Sequence, residues 1–406
     1  MPISIIEFSI ENYKIFKERV TFSMLAHKSN HTFEKNGRKL LKTSLIYGPN
    51  ASGKSTLLDG FYLIKKEILT STNPGRKIYY TPFLLSENNK KPSFFEVIFS
   101  LDKETFRYSF SFGEEGFVTE ELSKILKSGE EKPYLARKNQ KIKLYLDLKK
   151  SQDVIAKTKK EALFLSAAGQ WNNEFATKII KGFDDVNILN GFKDNSYSGY
   201  TMKLFDDNSE FKEKVIDYLK EADFCIDSGE IEKVKLSEKV KEQFSGLKNI
   251  NIPEEIDTIF FNHKKFSSKG DQVGFHRFNI GEESLGTRKF FNILGPVIDT
   301  LEKGKVLFID EFDNSLHPYL TKFIIHLFEN KNPNNAQLVV TTHDTSLLAD
   351  KEFNKEQFWF TEKDEFGAGN LFSLSEFKII RNDVDFSKKY LEGRFGAIPF
   401  IKFEDE

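Results

Sequence analysis

Residues 47–56 read Tyr47-Gly48-Pro49-Asn50-Ala51-Ser52-Gly53-Lys54-Ser55-Thr56, and this stretch decides the fold class. The apolar pair Leu45-Ile46 precedes it, and an amphipathic segment follows it. The apolar positions of that segment recur at helical spacing and are Leu57, Leu58, Phe61, Ile64 and Ile68. A strand, a loop with two glycines and a helix in this order predict the phosphate-binding loop of an α/β protein.

The loop pattern assigns a task to each of its residues. Gly48 and Gly53 allow successive backbone N–H groups to surround a polyphosphate, and the helix N-terminus adds positive charge. Lys54 is expected to reach the β and γ oxygens, while Ser55 offers its hydroxyl to Mg²⁺. The residues expected to bind the nucleotide here are Gly48, Asn50, Ala51, Ser52, Gly53, Lys54, Ser55 and Thr56.

Composition narrows the class of protein without naming a partner. The 406 residues can bury a sizeable core and hold two or three structural units. Lys and Arg total 60 against 61 Asp and Glu, which argues against a protein that coats nucleic acid, although a local patch for DNA or RNA stays open. The single cysteine, Cys225, cannot form an intramolecular disulfide and is expected to be a small buried hydrophobe.

The sequence also carries expectations about location. The N-terminus alternates apolar and polar residues as a half-buried strand does, and no apolar run is long enough to cross a bilayer. A single cysteine suits a reducing compartment. We therefore expect a cytoplasmic protein without a membrane partner.

The first 150 residues alternate mainly with the period of strands. Residues 3–25 predict a β-hairpin, and residues 94–100 and 105–112 predict further antiparallel strands, with pairing that continues to about Leu148. The hairpin connection holds Tyr13, Lys14, Phe16 and Lys17. These side chains either contact a base or phosphate or form an ordinary solvated turn.

From Ser151 to about Ile250 the period becomes helical. Ser209 is expected to cap one of these helices, and Lys157 to Lys160 are typical of a solvated helix face. We interpret this region as an inserted helical lobe. Residues 256–261 then return to the pattern of a strand.

A second buried strand, residues 305–311, ends in two carboxylates. Open α/β sheets place catalytic groups at the carboxyl ends of their strands. Asp310 is suited to orient Mg²⁺ or its water ligands. Glu311 is suited to act as general base on the attacking water.

Two further polar segments flank this acidic strand. Upstream, Ser284 is expected to cap an apolar helix, so that Ser284, Gly286 and Thr287 face an anion, namely the γ-phosphate bound by another subunit. Downstream, the buried strand 337–341 leads to His343, a candidate γ-phosphate sensor. We therefore predict Glu311, His343 and Lys54 as catalytic residues.

The order of phosphate loop, Ser-Leu-Gly-Thr helix, Asp-Glu strand and histidine resembles that of ABC-type ATPases. Residues 311–318, Glu-Phe-Asp-Asn-Ser-Leu-His-Pro, resemble the D-loop region of the RecF, RecN and SMC branch. This resemblance implies ATP and Mg²⁺ as cofactors, and a second copy of the chain across the ATP sites. Where transporters have Ser-Gly-Gly this chain has Ser-Leu-Gly-Thr, and the Q-loop glutamine, expected near 81–83, is not assigned.

The C-terminal part is similar to prokaryotic AAA/ABC-type ATPases of the RloA and AbiL kind. The similar segments are residues 357–363, 371–374 and 390–399, and the similarity extends over nearly the whole chain. It implies a toxin–antitoxin-like defence ATPase that works with an effector, often an RloB-like Toprim nuclease. Residues 393–399 and the helical lobe are candidate partner contacts, and a structural C-terminal clasp is an equal alternative for the former.

The predicted fold is α/β, an ABC-type P-loop ATPase head in which helices flank a mixed central sheet, with an antiparallel β lobe and an inserted helical lobe. Its predicted parts are an N-terminal ATPase lobe over 1–150, the helical lobe over 151–250 and a C-terminal ATPase lobe over 251–406. The predicted function is an ATPase that dimerises around ATP and regulates an effector nuclease in anti-phage defence. The alternatives are a RecF-like DNA-repair ATPase that clamps nucleic acid, and a scaffold that binds ATP but hydrolyses it slowly.

Overall fold

The computed structural model describes residues 2–87, 90–190, 195–222, 224–235, 254–377 and 385–399. The chain divides into two compact units. The first comprises 1–191, 300–313 and 325–406, and the second comprises 192–299 and 314–324. The predicted parts 1–150, 151–250 and 251–406 do not coincide with these units, and they stay a prediction.

The described residues form the following regular elements. The strands are β1 (Ser4–Glu11), β2 (Val20–Ser23), β3 (Thr32–Lys35), β4 (Arg38–Leu41), β5 (Thr43–Tyr47), β6 (Ser93–Leu101), β7 (Glu104–Gly113), β8 (Gly116–Ile125), β9 (Glu131–Lys138), β10 (Lys141–Leu144), β11 (Asn187–Asn190), β12 (Ile226–Lys235), β13 (Glu255–Phe266), β14 (Gln272–Asn279), β15 (Val306–Asp310), β16 (Gln337–Thr341), β17 (Phe358–Lys363) and β18 (Gly369–Ser373). The α-helices are α1 (Lys54–Thr70), α2 (Phe164–Gln170), α3 (Glu174–Asp184), α4 (Asn195–Asp207), α5 (Ser209–Glu221), α6 (Leu285–Lys303), α7 (Pro318–Asn330) and α8 (Phe386–Leu391). The 3₁₀ segments are Leu146–Lys157, Thr345–Ala349, Lys355–Gln357 and Leu374–Glu376.

A mixed sheet in the first unit positions the predicted nucleotide site. Its strand order is β11-β15-β16-β5-β17-β18, and every pair is parallel except β17 with β18. Strands β5, β15 and β16 are buried along their whole length, as apolar strands of a parallel sheet are. Since β16 lies between β5 and β15, the segments that follow these three strands meet at one edge of the sheet.

An antiparallel sheet forms the predicted β lobe. Its order is β10-β9-β8-β7-β6-β1-β2, which confirms the hairpin over 3–25 and adds it to the lobe. The prediction of antiparallel pairing up to Leu148 was wrong beyond Leu144. Leu146 has a φ of 46°, and a 3₁₀ segment that buries Leu148 begins there. The prediction of an α/β fold with an antiparallel β lobe is confirmed.

Helix α1 packs between the two sheets of the first unit. The ring centroid of Phe61 lies 4.4 Å from that of Phe308 in β15 and 5.2 Å from that of Phe8 in β1. All five apolar positions predicted for this helix are buried. The helix that begins at the phosphate loop is therefore part of the core.

The antiparallel sheet holds α2 through a buried ion pair. The Glu120 carboxylate accepts hydrogen bonds from the backbone N–H groups of Phe164 and Leu165 at 2.6 and 2.9 Å. Arg137, whose side chain is fully buried beside Glu120, donates to the Ala162 carbonyl at 2.7 Å. The first helical turn of α2 is therefore anchored by charge as well as by packing.

The C-terminal segment packs on the chain itself. Tyr390 donates its hydroxyl proton to the Ala397 carbonyl at 2.8 Å, and Phe395 is buried beside Phe360. The Ala397 N–H donates to Glu362 at 3.2 Å. These contacts support the clasp alternative for residues 393–399, while partner contact stays a prediction.

The second unit combines helices with the antiparallel sheet β12-β13-β14. The predicted strand over 256–261 is confirmed within β13. The cap predicted at Ser209 was wrong by one residue, because the side chain of Asn208 accepts the hydrogen bond from Phe211 N–H. Cys225, predicted to be buried, is exposed just before β12, with a φ of 55°.

The predicted helical lobe contains more than helices. Strands β11 and β12 lie inside the segment 151–250, along with the 3₁₀ segment and four α-helices among its described residues. The predicted end of the lobe near Ile250 lies outside the described residues. The lobe is therefore mixed in secondary structure.

Candidate nucleotide site

The phosphate loop connects β5 to α1 through backbone conformations that favour glycine. Gly48 and Gly53 have φ values of 152° and 116°. A Cβ atom on Gly48 would overlap Thr361 in the neighbouring strand β17, and one on Gly53 would lie 2.7 Å from the Phe16 ring. The Ser52 hydroxyl also hydrogen-bonds that of Thr361 at 2.6 Å. The loop is thus fixed from both sides before any ligand binds.

Lys54 is held over this loop by the loop itself. Its Nζ donates to the carbonyls of Gly48 and Pro49 at 2.7 and 3.2 Å. Burial lowers the pKa of the ammonium to about 8. This shift is opposed by three nearby carboxylates, those of Asp310, Glu311 and Asp313. The ammonium therefore lies among the acids at the edge of the sheet, while Asn50, Ala51 and Ser55 are exposed.

The Thr341 hydroxyl contacts the Asp310 carboxylate and the backbone of Glu311. Thr341, at the end of β16, donates to Asp310 Oδ1 at 2.6 Å and accepts from the Glu311 N–H at 2.7 Å. Glu311 has a φ of 51°, which turns the chain directly after the strand. Thr341 was not predicted from the sequence, although it stands three residues from the end of the segment 337–344 that ends in His343-Asp344. The hydroxyl therefore orients the Asp310 carboxylate and fixes the backbone turn at Glu311.

His343 lies beyond the end of β16 at the same edge. Its backbone N–H donates to Asp313 Oδ2 at 3.0 Å, and its side chain remains exposed. Partial enclosure of the ring and the nearby Lys54 charge lower the pKa of the imidazole, against the carboxylates of Asp313 and Asp310. The neutral form of the ring is therefore favoured more than in an exposed histidine. Asp313, which the sequence reading left without a role, links the histidine to the segment after the acidic strand.

The connection between β1 and β2 packs against the phosphate loop. Phe16 is fully buried beneath Gly53, and Tyr13 is buried against Phe95 at 5.3 Å between ring centroids. Neither ring is free to stack on a base, so this alternative was wrong for both aromatics. Lys14 pairs with Asp59 of α1 at 2.6 Å.

The Ser-Leu-Gly-Thr segment belongs to the second unit. Ser284 Oγ accepts from the Thr287 N–H at 3.1 Å and hydrogen-bonds its hydroxyl at 2.8 Å, which confirms the predicted cap of the helix that begins at Leu285. Ser284 and Leu285 are exposed, whereas Thr287 is buried. The structure brings together the phosphate loop, the acids and His343 in the first unit, and it forms Ser284, Gly286 and Thr287 as a separate group.

The side chains at this site fit Mg²⁺ bound together with a nucleotide better than a metal ion bound by protein side chains alone. Among the described residues, no group of three or more His, Cys, Asp and Glu side chains is placed to hold a metal ion. Mg²⁺ commonly binds through one or two protein oxygens together with phosphate oxygens and water. Ser55, which follows Lys54, and Asp310, whose charge acts on Lys54, are the predicted pair, and this assignment stays a prediction.

This fold and this edge of the sheet define a P-loop nucleotide-binding protein. The chain belongs to the family described as "AAA domain, putative AbiEii toxin, Type IV TA system", whose model matches residues 44–349, about three-quarters of the chain. Family membership implies a nucleotide-binding site. The matched range includes every predicted site residue. No curated protein matches the sequence.

Solved structures offer a weaker likeness. The SMC head domain from Thermotoga maritima is 14% identical over 92% of this chain and 99% of that chain, with a TM-score of 0.45. The SmcHead bound to the C-winged helix domain of ScpA is 12% identical over 91% and 97%, with a TM-score of 0.49. At these values neither likeness carries a functional conclusion. Within the described ranges, no helix has both the length and the apolar character needed to cross a membrane.

Proposed function

We propose that this protein is a cytoplasmic ATPase that hydrolyses ATP, dimerises around ATP·Mg²⁺ and regulates an effector nuclease in prokaryotic anti-phage defence. The observation that carries hydrolysis is the pair of acids near Lys54, with the Asp310 carboxylate and the backbone of Glu311 both held by the Thr341 hydroxyl. A scaffold that only binds ATP would not need two oriented acids at this edge. We therefore favour ATP hydrolysis over ATP binding without hydrolysis.

The residues of the first unit divide the work of hydrolysis. Lys54 and the loop N–H groups bind the phosphates, and Ser55 and Asp310 hold Mg²⁺, which neutralises charge on the phosphate oxygens. Glu311 accepts a proton from the attacking water. His343 donates one ring N–H to an oxygen of the γ-phosphate.

The second copy of the chain completes the site. Ser284 is exposed and caps α6, so its hydroxyl and the first N–H groups of this helix are suited to contact a γ-phosphate held by another subunit. Gly286 and Thr287 shape the same turn. A phosphate contacted from both subunits stabilises the dimer, and its loss on hydrolysis weakens the dimer.

The defence role depends on similarity in sequence. The segments near the C-terminus resemble the RloA and AbiL kind, and the description of the matching family also names a toxin. We infer an effector encoded beside this chain, an RloB-like Toprim protein or another nuclease. DNA or RNA enters this scheme as the target of the effector.

The test is an ATPase assay on the purified full chain, with and without the neighbouring gene product, followed by affinity purification. We expect Mg²⁺-dependent turnover, an ATP-dependent dimer and a nuclease that co-purifies. Turnover at the level of a Lys54→Ala variant would refute hydrolysis. Co-purification of DNA alone, with nucleotide-dependent DNA binding, would favour the repair alternative over defence.

A further inference from the structure

Trp171 lies between two cavities of the first unit, away from the residues of the nucleotide site. One cavity has a volume of about 620 Å³ and the other about 540 Å³, and Trp171 lines both. The side chain is 54% exposed at the end of α2. Tryptophan side chains, apolar with one polar N–H, are enriched at binding interfaces. We call the two cavities and Trp171 together the Trp171 groove.

Positive side chains line the groove on both sides of the ring. The larger cavity contains Arg76, Lys77, Lys157 and Lys159, and the smaller one contains Lys150 and Lys178. The carboxylates that line them are Glu114 and Glu161 in the larger cavity and Asp147 and Glu174 in the smaller one. The lining thus has a small excess of cations, in a chain whose net charge is -1.

Two of these cations contribute differently to the groove. The Lys157 ammonium lies over the Trp171 ring, 3.7 Å from its centroid, so one face of the ring carries a cation and a base would stack on the opposite face. Arg76 pairs through Nη2 with Glu67 of α1, whereas its Nη1 is buried and has no hydrogen-bond partner among the described residues. Glu67 Oε2, the other oxygen of the same ion pair, is also buried without a partner, so Arg76 contributes positive charge to the lining of the larger cavity and not a vacant anion site.

We propose that the Trp171 groove binds single-stranded nucleic acid. A base stacks on Trp171, and the phosphates on either side contact Lys77 and Lys159 in the larger cavity and Lys150 in the smaller one. Exposed aromatic rings flanked by lysines bind single strands because unpaired bases have free faces and the backbone is negative along its length. The bases of a duplex are stacked on each other and cannot reach the ring. This site is independent of ATP hydrolysis.

The test measures the anisotropy of a labelled oligonucleotide of about 12 nucleotides on the full chain, across a salt titration. Trp171→Ala is expected to raise Kd roughly 10-fold, whereas Trp171→Phe keeps most of the affinity because the ring remains. Lys159→Ala is expected to make the slope of log K against log salt shallower by about 0.7. Lys132→Ala, on β9 outside both cavities, is the matched control and should change neither quantity.

Three results would overturn the proposal. The first is an unchanged Kd in Trp171→Ala, and the second is duplex DNA that binds as tightly as a single strand. The third is AMP that competes as well as the oligonucleotide, which would assign the groove to a free nucleotide. Because Trp171 and Lys159 are exposed, unchanged circular dichroism is expected for the variants. A Lys54→Ala chain should bind the oligonucleotide as the parent does, which separates this site from the ATPase.

Discussion

The two halves of the predicted nucleotide site differ in how much of each the chain builds by itself. The phosphate-loop half is part of a core, since Lys54 is 6% exposed and bonded to its own loop. The Ser284 half ends in exposed groups, and Leu285 beside it is 57% exposed. The phosphate-loop half is preorganised and can bind a ligand alone. The exposed groups at the start of α6 gain contacts only when a partner packs against them.

This difference predicts which variants uncouple binding from turnover. Glu311→Gln should give the largest effect, a loss of turnover of about 10²- to 10⁴-fold, because the general base is gone. ATP affinity should stay within a few-fold, since the amide replaces the carboxylate without changing the loop. An ATP-dependent dimer should then accumulate in light scattering after size exclusion.

Glu365→Gln is the control for this change, because Glu365 lies exposed in the turn between β17 and β18 and should leave turnover unaltered. Full activity of Glu311→Gln would remove Glu311 from its proposed role. Activity lost together with ATP binding would instead show that Glu311 acts on affinity.

The exposed half is tested by Ser284→Arg. The long cation should block contact between subunits and lower turnover about 10- to 100-fold, while ATP still binds to the single chain. Mixing this variant with Lys54→Ala gives the sharper result, because a mixed dimer has one site with an intact loop and an intact Ser284. Recovered turnover in the mixture is expected if the site is completed by the second copy.

Failure to recover activity, when both variants are folded and form mixed dimers, would argue that Ser284 acts within its own chain. Undiminished turnover of Ser284→Arg alone would remove the segment from the site altogether. Ser284→Thr, which keeps a hydroxyl for the cap, should behave like the parent.

The nucleotide half also has a pH dependence. With a pKa of about 8, Lys54 in the free protein loses its proton well below the usual 10.5. ATP affinity should therefore fall above pH 8, by up to about 10-fold per pH unit, because the neutral amine no longer attracts phosphate. The unfolded chain keeps this proton up to about pH 10.5, so the stability of the free protein should rise over the same window.

Isothermal titration of ATP between pH 7 and 9.5 measures this effect. Lys54→Arg remains charged throughout and should show a flat profile, although with weaker binding. If ATP affinity falls with pH equally in both proteins, a group other than Lys54 titrates.

The sequence predicted the first half better than the second for a physical reason. The strands 43–47, 306–310 and 337–341 are short apolar runs that end in polar residues, and parallel strands bring such ends to one edge. The role of Thr341 depends on the register of β16 against β15, which no local pattern states. The proposed role of the Ser284 turn depends in the same way on contacts with a second copy, which no pattern within one chain states.

Other errors had local causes. Asn208 and Ser209 are both good caps, so spacing alone did not decide between them. The apolar residues after Leu144 fit a strand as well as a helix, and the positive φ of Leu146 ends the pairing. The run Lys157 to Lys160 was interpreted as a solvated helix face. The proposed role of this run in ligand binding depends on the cavities beside Trp171, which the sequence does not show.

The smallest effect concerns the hydroxyl that joins the two acids. Thr341→Val keeps the shape of the side chain but leaves Asp310 Oδ1 and the Glu311 N–H without this partner, so we expect turnover about 3- to 10-fold lower and a loss of about 1–3 kcal/mol in the free energy of unfolding. Thr119→Val removes a comparable hydroxyl contact, 2.7 Å from Ser111 in the β lobe, and should lower stability without touching turnover. Equal turnover in the two variants would mean that Asp310 and Glu311 hold their positions without the Thr341 hydroxyl, and that this hydroxyl has no part in hydrolysis.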